Sequence, residues 1–148
     1  MLSKSSKYAI QAVLHIACAA SNKKKIGSKE IANVLNIPAP FLAKTLQELS
    51  KNRIISSIKG PNGGFYLTKS NQEKSIFDII NCIDGEHKFE ECFLGYSKCS
   101  DDNPCVVHDL YTTYEKSLLL TLKNKTIIEM ARENKRNVNT FENLISHE

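Results

Sequence analysis

Residues 53–69, RIISSIKGPNGGFYLTK, read as two short strands joined by a tight reversal, and the fold turns on that reading. Ile54, Ile55 and Ile58 before the turn, and Phe65, Tyr66 and Leu67 after it, are the β-branched and aromatic types that strands favour. Between them GPNGG supplies the glycines and the Asn-Gly step that a reversal requires. A lone hairpin is marginally stable in water, so its meaning depends on what precedes it.

What precedes it is a pair of short helices. Ser28 is placed to cap a helix running through Leu35, with Ile31, Ala32 and Leu35 inward, and Asn36-Ile37-Pro38 ends it. A second helix follows from about Pro40 to Lys51. Leu42, Leu46 and Leu49 share one face, while Pro40, Lys44, Gln47 and Lys51 fall on the opposite one. Two helices across a tight turn, then a hairpin, make a winged helix-turn-helix. The expected fold class is mainly α with a small β-hairpin wing, extended by a long dimerisation helix. Lys44 and Gln47 are the candidate base readers, with Thr45 at the edge of that face. Lys51, Lys59 and Asn62 are the candidate backbone contacts, and Ser28 and Pro40 complete the candidate DNA-binding set.

The charge distribution agrees. Through Lys69 the chain has eleven Lys/Arg against two acids; beyond it, nine against fourteen. The net +4 thus conceals a basic first part suited to a polyanion and an acidic remainder with another task. The expected organisation is a DNA-binding domain at 1–70, a cysteine loop and dimerisation helix at 71–132, and a polar, frayed tail at 133–148. At 41% hydrophobic and 24% charged residues the composition is globular, and no apolar run is long enough for a membrane span.

The first segment, Lys4 to Ala20, is apolar nearly all round and predicts a buried helix. His15 and Cys18 within it read as core residues. Gln11 and His15 interrupt what would otherwise resemble an export signal, so an uncleaved helix and a cytoplasmic location are expected. Ile76 to Ile83 predicts another packed helix, with Cys82 beside its apolar face and Asp84-Gly85 as its stop.

Residues 92–108, CFLGYSKCSDDNPCVVH, hold three of the five cysteines and a histidine. An odd number of cysteines without an export signal points to metal binding or redox sensing rather than structural disulfides. Asn103 and Pro104 have the form of an N-cap and first helical residue, which predicts a helix of roughly 19 residues, about 28 Å long. On that helix Cys105 and His108 would share a face. Its apolar residues Val107, Tyr111, Tyr114, Leu118 and Leu122 recur as a packing seam suited to a homodimer, with packing inside one chain as the alternative. Thr126 and Glu129 form a capping box for a further short helix. Cys92, Cys99, Cys105 and His108 are the candidate metal ligands. Structural zinc sites usually pair cysteines two to four residues apart, and the gaps here are wider. The spacing favours an iron-sulfur cluster and leaves zinc, or a metal-free thiol switch, open. The aspartate pair at 101–102 reads as solvated. Nothing in the chain has the pattern of an enzyme; GPNGG lies between strands, the wrong context for a nucleotide site.

In their order, KYAIQAVLHIA, IGSKEIANVLNIPAPFLAKTLQELSKN, RIISSIKGPNGGFYL and the cysteine triplet resemble the IscR/NsrR-type winged-helix transcription regulators, the Rrf-two family, over about residues 1–130. The resemblance implies a homodimeric regulator, expected to repress, binding a palindromic operator in double-stranded DNA. Its loop would hold a [2Fe-2S] cluster serving redox or nitric oxide sensing. Cys92, Cys99 and Cys105 match the cluster cysteines, and His108 the histidine of IscR-like members. NsrR-like members use an acidic residue near the start of the first helix, where this chain has Ser5, Ser6, Lys7 and Tyr8; His15 is a lesser option. Ala43 and Lys44 stand where some IscR-like members carry a base-reading acid, so the operator sequence does not transfer. The alternatives are a zinc- or thiol-based regulator of the same fold, and a redox carrier or scaffold that does not bind DNA.

Overall fold

The computed structural model describes residues 2–21 and 23–136. Its elements run α1 (Lys4–Ala19), α2 (Ser28–Leu35), α3 (Ala39–Lys51), β1 (Ser56–Ile58), β2 (Gly64–Tyr66), α4 (Lys69–Gln72), α5 (Ile76–Asp84), a 3-10 turn (Glu86–Glu90), α6 (His108–Asn124) and α7 (Ile127–Arg136). The fold is the expected one, mainly helical with a two-stranded antiparallel hairpin.

α1 is the centre of the packing. Its Ala9, Ala12, Val13 and Ile16 are fully buried, and α2, α3, α5 and α7 all pack on it. The small alanines let neighbouring helices approach closely. Around them close Ile31, Leu42, Leu46, Leu49, Ile79, Ile80 and Ile127, each burial contributing about 1.5–3 kcal/mol. His15 is half-buried, and that burial lowers its pKa. Cys18 donates to the Ala131 carbonyl at 3.5 Å, which ties α1 to α7.

The helix-turn-helix closes as the sequence implies, with one shift. Ser28 is the first residue of α2 rather than its cap; Gly27 takes the cap position, and no side chain caps it. Asn36 ends α2 in the left-handed region at φ 54°, and the Ile37 N–H returns to the Ala32 carbonyl at 3.0 Å. In the hairpin Ser56 faces Tyr66, Ser57 faces Phe65 and Ile58 faces Gly64. Ile54, Ile55 and Leu67 lie outside the strands, buried, and pin the hairpin's base to the core. Phe65 also exchanges two backbone hydrogen bonds with Ile26, of 2.8 and 3.0 Å. Gly64 sits at φ 144° in that crossing, and a Cβ there would stand 2.8 Å from the Ile26 backbone. Only glycine fits.

Asn71 fastens the wing. It is 5% exposed, and its Oδ1 accepts from Ser56 Oγ (2.8 Å), Thr68 N–H (2.9 Å) and Thr68 Oγ1 (2.9 Å). Its Nδ2 donates to the Arg53 carbonyl at 2.9 Å. Asn71→Leu strands several of these groups, so it should cost about 2–4 kcal/mol of stability, read as a lowered denaturation midpoint. A change within about 0.5 kcal/mol would show that the network carries no weight.

α5 carries a reciprocal capping box of Ser75 and Asp78 and stops at Gly85, φ 86°. Its last residue, Asp84, accepts from the Ser3 N–H at 3.2 Å and from the Ser3 hydroxyl, holding the cap of α1.

α6 starts later than Asn103-Pro104 implies. The Asn103 amide donates to the Lys98 carbonyl at 3.1 Å, and the Asn103 and Ser100 backbones bond to each other. The side chain that was to cap a helix is therefore spent on a loop. Residues 105–108 form a turn closed by the His108 N–H on the Cys105 carbonyl at 3.1 Å, and the helix runs from His108. The expected seam also divides. Val107, Tyr111 and Leu122 are half-buried, whereas Tyr114 and Leu118 are exposed with Val106 and Leu110. Thr126 and Glu129 make the expected reciprocal cap at the start of α7, which extends through Arg136 where a frayed tail was expected. The remainder of that tail, 137–148, lies outside the described residues. No helix among the described residues is long and apolar enough to cross a membrane.

Candidate metal centre and nucleic-acid interface

The loop between the 3-10 turn and α6 brings three thiols together. Cys92, Cys99 and Cys105 are half-buried, and their sulfurs all lie within 4.8 Å of one another. Cys92 and Cys105 are 3.7 Å apart, and the Cys105 N–H donates to Cys99 Sγ at 3.4 Å. This is the one such convergence of metal-ligating side chains among the described residues. Cys18, Cys82 and His15 take no part in it.

His108 stands at the edge of the triad rather than on a helical face shared with Cys105. Its Nδ1 is 3.3 Å from Cys99 Sγ, and its Nε2 is 2.9 Å from Asp101 Oδ1. A carboxylate on one ring nitrogen fixes the proton there and leaves the other nitrogen's lone pair facing the sulfurs, the arrangement that orients metal-bound imidazoles. Asp101, whose own pKa is lowered by this hydrogen bond, is thus a partner of the imidazole, where the sequence implies a merely solvated carboxylate. It precedes the expected helix start at Asn103-Pro104, so its spacing of seven from His108 carries no helical signal. Asp101→Ala should therefore weaken metal retention by about 10- to 100-fold in a chelator competition, and unaltered retention would remove the residue from the site.

The thiols differ in acidity. Partial desolvation pushes Cys92 up, but the backbone N–H groups of Tyr96 and Leu94 and the adjacent thiols outweigh it and bring it down to about 7. Cys99 is stabilised as a thiolate by the Cys105 N–H, yet desolvation and the neighbouring sulfurs raise it above the ordinary range. In metal-free protein, alkylation of Cys92 should rise with pH through a midpoint near 7 and precede that of Cys99, as peptide mass spectrometry would show. Alkylation of Cys99 first would reverse this ordering.

A cavity of about 450 Å³ opens beside the sulfurs, walled in part by Phe93, Asp101, Tyr111, Glu115 and Lys116. Glu115 is 8% exposed, and burial raises its pKa. Tyr111 is pushed up to about 12 by burial and by the Glu115 carboxylate. Converging thiols, an oriented imidazole and open space beside them suit a thiophilic metal or an iron-sulfur group.

On α3, Pro40, Lys44, Gln47 and Lys51 are exposed along the outer face, and Lys59 and Asn62 are exposed at the wing tip. Thr45 is not with them. It is 7% exposed, and its hydroxyl donates to the Phe41 carbonyl at 3.1 Å, so its side chain is not presented on this face. Ser28 is half-buried at the start of α2.

A basic, exposed helix-turn-helix and wing, joined to a thiol centre, define a winged-helix DNA-binding protein with a site able to hold metal. The family model for Rrf2, described as an iron-dependent transcriptional regulator, matches residues 2–133. The chain belongs to the Rrf2 family of transcriptional regulators. A protein of Aquifex aeolicus described as an HTH-type transcriptional regulator is 38% identical over 132 residues, covering 88% of this chain and 90% of that one. The regulator IscR of Klebsiella pneumoniae is 26% identical over 129 residues, covering 87% and 78%. Among solved structures, CymR, the global cysteine regulator of B. subtilis, superposes with a TM-score of 0.71 at 18% identity over 90% of this chain and 97% of its own. T. potens IscR gives 0.66 at 21% identity, covering 90% and 87%. These relatives are regulators, and the two solved structures share the fold.

Proposed function

We propose that the chain is a homodimeric repressor whose affinity for a palindromic operator is set by an iron-sulfur cluster, [2Fe-2S], held by Cys92, Cys99, Cys105 and His108. The observation that carries this reading is the half-buried sulfur triad with His108 oriented beside it by Asp101. A bound cluster would supply one-electron redox chemistry and reactivity toward oxidants or nitric oxide. The chain's own part is to hold the ligands at the root of α6, so that filling or emptying the site reaches the helix that follows.

That helix offers the dimer surface. Leu110, Tyr114 and Leu118 on it, with Val106 in the turn just before it, repeat every four residues and are between 36% and 91% exposed, an apolar stripe that a second copy would cover. Dimerisation would set two recognition helices about 34 Å apart, matching successive major grooves. Residues 1–70 would serve DNA binding, and 71–132 the cluster and dimer contacts. α1, central to both, couples them.

Anaerobic purification followed by absorption spectroscopy and iron and sulfide analysis tests the cofactor, and a coloured protein containing both is expected. Colourless protein holding zinc would favour a second reading, a zinc-controlled regulator. The convergence of all three sulfurs within 4.8 Å favours it, since thiolates about 2.3 Å from one tetrahedral ion stand roughly 3.8 Å apart, whereas a two-iron cluster spreads its ligands over both irons.

A further inference from the structure

The base of the wing carries a second polar site, away from the thiols. At the end of α3 the chain reverses through Arg53 at φ 60°, with the Ile54 N–H on the Leu49 carbonyl at 2.9 Å. This is the helix stop that glycine ordinarily fills, because a Cβ in the left-handed region costs about 1–2 kcal/mol. Arg53 is exposed, so packing does not repay that cost. Strain kept without a packing reward directs attention to function.

Arg53 borders an open concavity of about 610 Å³ shared with Ser50, Ser57, Tyr66, Ser70 and Lys74. No carboxylate lines it. Arg53 and Lys74 form no ion pair among the described residues. Tyr66, one of the lining residues, carries the Lys25 ammonium 4.8 Å over its ring. The inner wall is fixed by the Asn71 network, which grips the Arg53 carbonyl, and by the Ser50 and Ser57 hydroxyls, 2.9 Å apart. Two unpaired cations and a set of hydroxyls on a rigid wall are what a phosphate group requires.

We propose that this concavity binds a phosphate group, with Arg53 as its forked anchor and Lys74 as the second charge. Two sources share that chemistry. One is the sugar-phosphate backbone of bound duplex flanking the recognition helix, which rests on the DNA-binding reading above; the other is a free phosphate anion.

The test compares wild type with Arg53→Gly, Arg53→Lys and Lys74→Ala. Arg53→Gly relieves the left-handed backbone, so its melting temperature should equal or exceed that of wild type, and lost binding cannot be blamed on unfolding. In one arm, affinity for a mixed-sequence duplex is measured against salt. A slope less negative by about 0.9 in Arg53→Gly, so that a fourfold rise in salt costs it about 3.5-fold less affinity than it costs wild type, assigns the phosphate to DNA. Arg53→Lys should stay near wild type in that arm. In the other arm, inorganic phosphate is compared with sodium chloride at matched ionic strength. A phosphate-specific rise in melting temperature, lost in Arg53→Gly and Lys74→Ala, assigns the site to a free anion. Unchanged slope and unchanged phosphate response in both variants overturn the proposal. Wild type without salt-sensitive affinity for duplex would defeat the DNA-binding reading instead, and the phosphate arm would still decide the site.

Discussion

Cys99→Ser should purify without bound iron or sulfide, even under anaerobic conditions, while keeping the wild-type helical content. Cys99 is where the contacts of the loop meet: its sulfur accepts the Cys105 N–H, faces His108 Nδ1 and lies within reach of both other thiols. A serine oxygen is a harder ligand and keeps its proton near neutral pH, so it does not replace a thiolate. Loss of retention should exceed the roughly 100-fold that follows from removing a supporting hydrogen bond such as that of Asp101. The fold should survive because the buried core is built without the three cysteines. Iron content equal to wild type would exclude Cys99 as a ligand.

Lys44→Ala combined with Gln47→Ala should abolish operator selectivity while leaving salt-dependent, nonspecific binding largely intact. Both side chains are exposed on the outer face of α3, whose opposite face, Leu42, Leu46 and Leu49, is fully buried. Each good base contact contributes about 1–3 kcal/mol of discrimination, so the pair should cost at least about 30-fold in affinity for the operator. Lys51 and Lys59 remain to hold phosphates. Equal loss on operator and mixed-sequence DNA would mean that the two residues position the helix rather than read bases.

The winged helix was legible because its signals are local and mutually consistent. Leucines at 42, 46 and 49 define one helical face, and GPNGG between two apolar runs admits little but a hairpin. The same spacing already held the correct place of Thr45, three residues from Leu42 and four from Leu49, on the buried stripe; its polarity concealed that. The cysteine loop was legible in ligand identity and not in geometry. Asn103-Pro104 has the composition of a helix start, but a longer-range bond from Asn103 to the Lys98 carbonyl takes the capping group, and composition cannot show such competition. The turn that results presents His108 to Cys99 and Asp101 instead of aligning it with Cys105. Asn71 was missed for a related reason: its partners at 53, 56 and 68 come together only once the hairpin has formed.

The link between the loop and DNA binding is the central claim, since a regulator must hold its DNA-binding halves differently in its two states. The most direct measurement is the affinity of cluster-loaded and metal-free protein, at one salt concentration, for the same operator duplex. A difference of about 5- to 150-fold, the usual range of coupling between two sites, is the predicted result. Equal affinities would contradict it.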